Sequence, residues 1–165
     1  MTQLRANGNP KSKMPITITR ERPDTPESIA LIDELEAVLS PHYPATSRHG
    51  YSVQKLIDQG VAFFIVREDG APAGCGGVQL FGAEYGELKR MFVRSTFRGR
   101  SLAKLMLQHL AEHARANGVS LLRLETGIHQ LEAIGLYERE GFTRTSPFGD
   151  YQPDPLSIFF EKAIG

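Results

Sequence analysis

A chain of 165 residues, 41% hydrophobic and 23% charged, is long enough for one domain with its own core and too ordinary in composition for a repeat array or a coiled coil. Nineteen basic and nineteen acidic side chains cancel, so no global field draws a nucleic acid or an anionic membrane. The single cysteine, Cys75, excludes an internal disulfide and a cysteine-based zinc cluster, and among Gly74, Gly76 and Gly77 it reads as a small packing residue.

Residues 1–14 are polar, carry Arg5, Lys11 and Lys13 without an acidic residue, and lack the apolar run of a secretory signal. A loose tail, a cytoplasmic location and a single domain over residues 15–165 are expected. From Pro15 the stretch PITITRER alternates apolar and polar residues as a strand does, and Pro23 ends it. Thr25, Pro26 and Glu27 then supply an N-cap, a first-turn proline and an early carboxylate. Ile29, Ile32, Leu35, Val38 and Leu39 give the following helix its apolar stripe.

After a loop rich in proline and small polar residues, a short helix is predicted from about Ser52 to Asp58, stopped by Gly60. Two apolar runs around Asp69-Gly70 read as a hairpin, and Tyr85 to Val93 as the next strand. A long helix carrying Leu102, Leu105, Met106 and Leu110 runs to Asn117-Gly118. LLRLETG follows as a buried strand, then a helix marked by Ala133, Ile134, Leu136 and Tyr137, a strand from Phe142, a turn-rich loop SPFGDYQPDP, and the closing strand LSIFFEKAI. The order is β-α-α-β-β-β-α-β-α-β-β, a mixed α/β domain without an internal boundary.

The stretch from Glu87 to Ala103 carries the most chemistry. An apolar strand runs into a loop of Arg, Gly and Ser that opens the long helix. The first turn of a helix offers free N–H groups and the positive end of the macrodipole, and Arg98 and Arg100 add charge, so a phosphate-bearing ligand is implied. The loop is neither a P-loop nor a dinucleotide-binding turn, since neither glycine pattern is present.

Arg98-x-x-Ser101-x-Ala103, between a strand and an amphipathic helix, instead resembles the acetyl-CoA pyrophosphate loop of the GNAT superfamily of N-acetyltransferases, R/Q-x-x-G-x-G/A. A second block, Ala133-x-x-Leu136-Tyr137-x-x-x-Gly141-Phe142, is similar to that family's ending. The resemblance runs from about residue 15 onward and implies the GNAT fold, a mostly antiparallel mixed sheet flanked by helices. It also implies direct transfer of an acetyl group from acetyl-CoA to a primary amine of a small molecule, amino acid or peptide. A non-catalytic acyl-CoA-binding module is the alternative.

By the same resemblance, Met91, Phe92 and Val93 would pair with the pantetheine arm, and Arg98, Gly99, Arg100, Ser101, Leu102 and Ala103 would hold the pyrophosphate. Ser101 departs from the family's glycine, adding a Cβ and a hydroxyl where phosphate approaches. Tyr137 would act as general acid, since a phenol with a reference pKa of about 10 stays protonated at neutral pH. Glu87 would act as base, with Glu125 or water as rivals.

No metal is expected. His109 and His113 have helical spacing but no third ligand in a matching motif, and read as a solvated helix face. The expected partners are acetyl-CoA and an amine acceptor, with no nucleic acid and no membrane, and with room for a homodimer. The loops HYPATSRHGYS and SPFGDYQPDP are expected to line the acceptor pocket through Tyr43, Arg48, His49, Tyr51, Phe148, Asp150 and Tyr151. His129 is expected near the site. Arg48 points to an acceptor carboxylate, which a guanidinium binds bidentately.

Overall fold

A strand buried on both faces needs helices on both sides of its sheet, and the run AFFIVRE makes that demand. Phe63 and Ile65 turn to one face, Phe64 and Val66 to the other, and all four are buried. In the computed structural model, which describes residues 15–165, this strand (β2, Ala62–Glu68) lies between β1 (Ile16–Arg20) and β3 (Ala71–Phe81). The tail expected at residues 1–14 lies outside the described residues.

Four further strands, β4 (Tyr85–Val93), β5 (Leu121–Gly127), β6 (Thr143–Thr145) and β7 (Ser157–Ala163), complete a seven-stranded sheet in the order β1-β2-β3-β4-β5-β7-β6. Every pairing is antiparallel except that of β4 with β5. The parallel pair is reached by the crossover helix α3 (Leu102–Ala116). With α4 (Leu131–Arg139), α3 covers one face, burying Met106, Leu110, Ile134 and Tyr137 against Phe64, Leu124 and Phe160. Helices α1 (Pro26–Leu39) and α2 (Val53–Asp58) cover the other, with Leu31, Ile32 and Leu56 against Phe63, Ile65 and Cys75. With 3₁₀ turns at Ala45–Ser47 and Ser95–Phe97 added, the element order is the one expected from the sequence.

The apolar stripe of α1 is a correction. Leu31, Ile32 and Leu35 are buried, whereas Ile29 and Val38 are exposed. The buried face is rotated because Ser28 takes a core position, its hydroxyl donating to the Arg22 carbonyl at 2.8 Å, which satisfies a polar group the periodicity counted against burial. The histidines of α3 are a second correction. His109 and His113 are half-buried, each edge-on to Phe64 with ring centroids 4.7 and 5.6 Å away, and burial lowers the His113 pKa.

Cys75 is 1% exposed. Its thiol donates to the Arg90 carbonyl at 3.3 Å, and burial pushes its pKa up to about 12.

Candidate active site

The middle of the sheet comes apart at a fixed place. β4 and β5 pair only at Gly86 with Leu122 and Glu87 with Arg123, while β5 stays paired with β7 as far as Gly127 and Ser157. Two residues of β4, Arg90 and Met91, stand opposite Gly76, between the pairs Gly77 with Lys89 and Cys75 with Phe92. This is a bulge, and Arg90 occupies the left-handed region with φ +56°. Its guanidinium fixes that uncommon conformation by donating to Glu36 at 2.8 Å and to the Tyr51 carbonyl at 2.9 Å.

Beyond the bulge a cavity of about 130 Å³ opens between the diverging strands. Lys89 and Met91 line it from β4, Glu125 and Gly127 from β5, and Tyr137 from α4. The peptide groups of β4 past Glu87 have no partner in β5, which leaves a gap open to an extended amide chain. Met91 lines the cavity, while the side chain of Phe92 packs into the α1–α2 core and that of Val93 into the α3 core, and the pairing expected of all three concerns their main chain.

The loop before α3 offers backbone groups. Helices α1 and α2 are capped by Thr25 and Ser52, whose hydroxyls accept from the N–H of Ser28 and of Lys55, each at 3.1 Å. Ser101 holds the same position on α3 and makes no such bond, because it sits in the left-handed region at φ +62°. Gly99 is left-handed as well, at φ +81°. Among the described residues no backbone acceptor meets the N–H groups of residues 99 to 104, and the first bond of the helix is Leu105 N–H to the Ser101 carbonyl at 3.0 Å. Six successive free donors, three in the loop and three in the first turn of the 15-residue helix, form a concavity suited to an anion.

The family's glycine at the position of Ser101 thus answers a backbone need as well as a steric one. The arginines are less free than the sequence implies. Arg98 pairs with Glu132 at 3.1 Å in an exposed, weak contact, and Arg100 is bonded to the buried Glu68. Arg94 pairs with Glu34 at 2.6 Å, so with Arg90 all four arginines of this segment meet carboxylates.

Leu88 and Leu124 pack in the α3 core, so strand alternation turns Glu87, Lys89 and Glu125 to the opposite face. Tyr137 approaches from the α3 side, buried at 5% exposure, and burial, then the Glu125 carboxylate, raise its pKa. Glu125 is half-buried and accepts from the Ser157 hydroxyl at 2.7 Å. Burial raises its pKa, against the Ser157 hydrogen bond and the charges of His49 and Lys89.

Glu87 is 3% exposed and does not line the cavity. The Tyr151 hydroxyl donates to it at 2.5 Å and the Lys89 ammonium lies 2.8 Å away. Lys89 also donates to the Tyr151 oxygen at 3.1 Å and sits 3.9 Å over the Tyr51 ring. Burial lowers the Lys89 pKa and raises that of Tyr151, Glu87 opposing the first and adding to the second.

Of the two loops expected around the acceptor, only the first lines the cavity, through Tyr43, Ser47, Arg48, His49 and Gly50. Tyr51 lies beneath Lys89. In the second loop Phe148 joins Tyr85 and Phe159 in a separate aromatic core, Asp150 is exposed, and Tyr151 caps Glu87. The second loop reaches the site through Asp154, 3.4 Å from His49. His129 contributes its backbone, donating to the Tyr43 hydroxyl at 3.0 Å, while that hydroxyl donates to Gln130 at 3.0 Å. Gly127 lies directly beneath, where a Cβ would overlap the Tyr43 ring. Among the described residues no group of three or more His, Cys, Asp or Glu is placed to hold a metal.

The sequence profile of the Acetyltransferase (GNAT) family matches residues 29–142. The chain is 42% identical over 150 residues to an IAA acetyltransferase from Azospirillum brasilense, covering 90% of this chain and 98% of that protein. Among solved structures, a candidate acyl-CoA N-acyltransferase from Klebsiella pneumoniae superposes with a TM-score of 0.78 at 37% identity, over 91% of this chain and 98% of that one. The PaiA N-acetyltransferase from Thermoplasma acidophilum, solved with coenzyme A, shares the fold with a TM-score of 0.73 at 17% identity, over 91% of this chain and 99% of that one. The matched profile covers most of the domain, and the chain belongs to the GNAT family as an acetyl-CoA-dependent N-acetyltransferase.

Proposed function

We propose that the enzyme acetylates the primary amine of a small molecule by direct transfer, with Glu125 as the base and Tyr137 as the acid. The observation that carries this reading is that both line one cavity where β4 and β5 part. Acetyl-CoA supplies the acetyl group as a thioester. The free N–H groups of residues 99 to 104 hold the pyrophosphate, and the unpaired edge of β4 around Met91 aligns the pantetheine arm. Arg98, whose carboxylate partner is exposed, is free to turn to a phosphate.

Glu125 receives the proton the amine must shed before attack. Its raised pKa favours that role, since a base works best when its pKa lies near the working pH. Glu87, expected as the base, is supported less well, because its carboxylate is engaged by Tyr151 and Lys89 and is absent from the cavity wall. As the C–N bond forms and the C–S bond breaks, Tyr137 donates its phenolic proton to the departing sulfur. Burial keeps that phenol protonated at any working pH.

Steady-state kinetics of Glu125→Gln beside Glu87→Gln test the assignment. Glu125→Gln is expected to lose turnover by a factor of about 10 to 100. A full loss with Glu87→Gln and none with Glu125→Gln would return the role to Glu87. Two finer expectations travel with the proposal, a cytoplasmic location and a homodimer, tested by fractionation and by sedimentation. Among the described residues no helix is long and apolar enough to cross a membrane.

A further inference from the structure

One charged group of the cavity has no task in this scheme. Arg48 is half-buried and lines the same wall as His49 and Gly50, facing the gap that Glu125 and Tyr137 border. Among the described residues no carboxylate lies within ion-pair distance of its guanidinium. The neighbouring cations differ, since Lys89 pairs with Glu87 at 2.8 Å and Arg90 with Glu36 at 2.8 Å. The charges that act on Glu125 are those of His49, Lys89 and Glu87, and Arg48 is not among them.

The loop that carries Arg48 is anchored on both sides. Tyr43 is bonded to His129 and Gln130, and His49 lies against Asp154. Arg48 follows the 3₁₀ turn directly, its N–H donating to the Ala45 carbonyl at 3.3 Å. An arginine partly withdrawn from water gives up hydration, and a ligand anion is the means of recovering it. Its planar fork suits a carboxylate, two N–H groups to two oxygens.

We infer that the acceptor carries a carboxylate beside its amine, as an α-amino acid does, with the carboxylate on Arg48 and the amine at Glu125. The inference rests on the reading of Glu125 as the base. A cation and a carboxylate that do not neutralise each other across one small cavity form a dipolar receptor. The reversed pose would set like charges together at both ends, so the amine is delivered to the acetyl group in one orientation only.

The test is acetyl transfer by the full chain to matched acceptors: an amino acid, its carboxamide, and its decarboxylated amine. The amino acid is expected to exceed both in kcat/KM by a factor of at least ten. Arg48→Ala should then reduce kcat/KM for the amino acid by a factor of at least ten more than for the decarboxylated amine, mainly through KM. Arg48→Lys should recover part of the difference, keeping the charge without the fork.

Equal or better use of the decarboxylated amine, no transfer to any carboxylate-bearing amine, or an equal loss on both acceptors in Arg48→Ala overturns the inference. The reading of Glu125 fails separately, by unchanged turnover in Glu125→Gln on whichever acceptor is used.

Discussion

The two halves of the site are made of different material. On the proposed cofactor side the groups on offer are main-chain: the unpaired edge of β4 and the free N–H groups of residues 99 to 104. On the acceptor side they are side chains already engaged with one another, such as Glu87 with Tyr151 and Lys89, His49 with Asp154, and Tyr43 with Gln130. A backbone cradle reads only the shape and charge common to every CoA thioester. A side-chain wall can change its ligand by changing single residues.

The sharpest way to break that division is Tyr137→Phe, which removes a proton donor and nothing from the cradle. Turnover is expected to fall by a factor of about 10²–10³, with the KM for acetyl-CoA moving by no more than about threefold. An equal shift in acetyl-CoA affinity would show that the halves are coupled.

Leu110→Ala reaches both halves from below, since α3 carries the cradle at its start and packs beneath β3 and β4 along its length. A fully buried leucine cut to alanine costs about 3 kcal/mol, or a melting point lower by roughly 6–12 °C. Calorimetry should find that loss with both KM values little changed, because the cradle needs only the first turn of α3.

Glu125→Gln separates activity from stability. A carboxyl whose folded pKa is raised above its unfolded value contributes stability that is present below the unfolded pKa and is lost as pH rises through the folded one. Above the unfolded pKa, Glu125 is therefore a cost that Gln removes. The variant should melt higher than the parent at pH 7 while turning over about 10- to 100-fold more slowly, and the melting difference should close toward pH 4. In the parent, turnover should fall as acid protonates Glu125.

The smallest effect belongs to Ser101→Gly. Relief of a left-handed serine, roughly 1–2 kcal/mol, is offset by the greater unfolded freedom of glycine, leaving a gain of about 0.5 kcal/mol. Acetyl-CoA should bind a few-fold more tightly, by isothermal titration, and an altered KM for the acceptor would again join what the comparison keeps apart.

The same contrast explains how much the residues alone disclosed. The loop from Arg98 to Ala103 and the block from Ala133 to Phe142 are continuous segments whose strand, turn and helix signals lie beside the chemistry, so both were legible. The acceptor wall is held by contacts 64 residues apart between Glu87 and Tyr151, 87 between Tyr43 and Gln130, and 105 between His49 and Asp154. No spacing rule carries such pairings. Phe148 reads as a pocket aromatic until Tyr85 and Phe159 are seen to enclose it. Arg90 could not be read as a bulge, because a left-handed arginine leaves no pattern of its own, and only its ties to Glu36 and Tyr51 account for it.

Cys75 decides how all of this is to be watched. Thiol reagents attack the thiolate, and the chain's one sulfhydryl is both sealed under the sheet and held protonated. To an aromatic disulfide dye the folded enzyme is therefore dark, and each unit of colour counts one molecule of CoA set free. Colour arising without an acceptor, in step with protein rather than acetyl-CoA, would report unfolding instead.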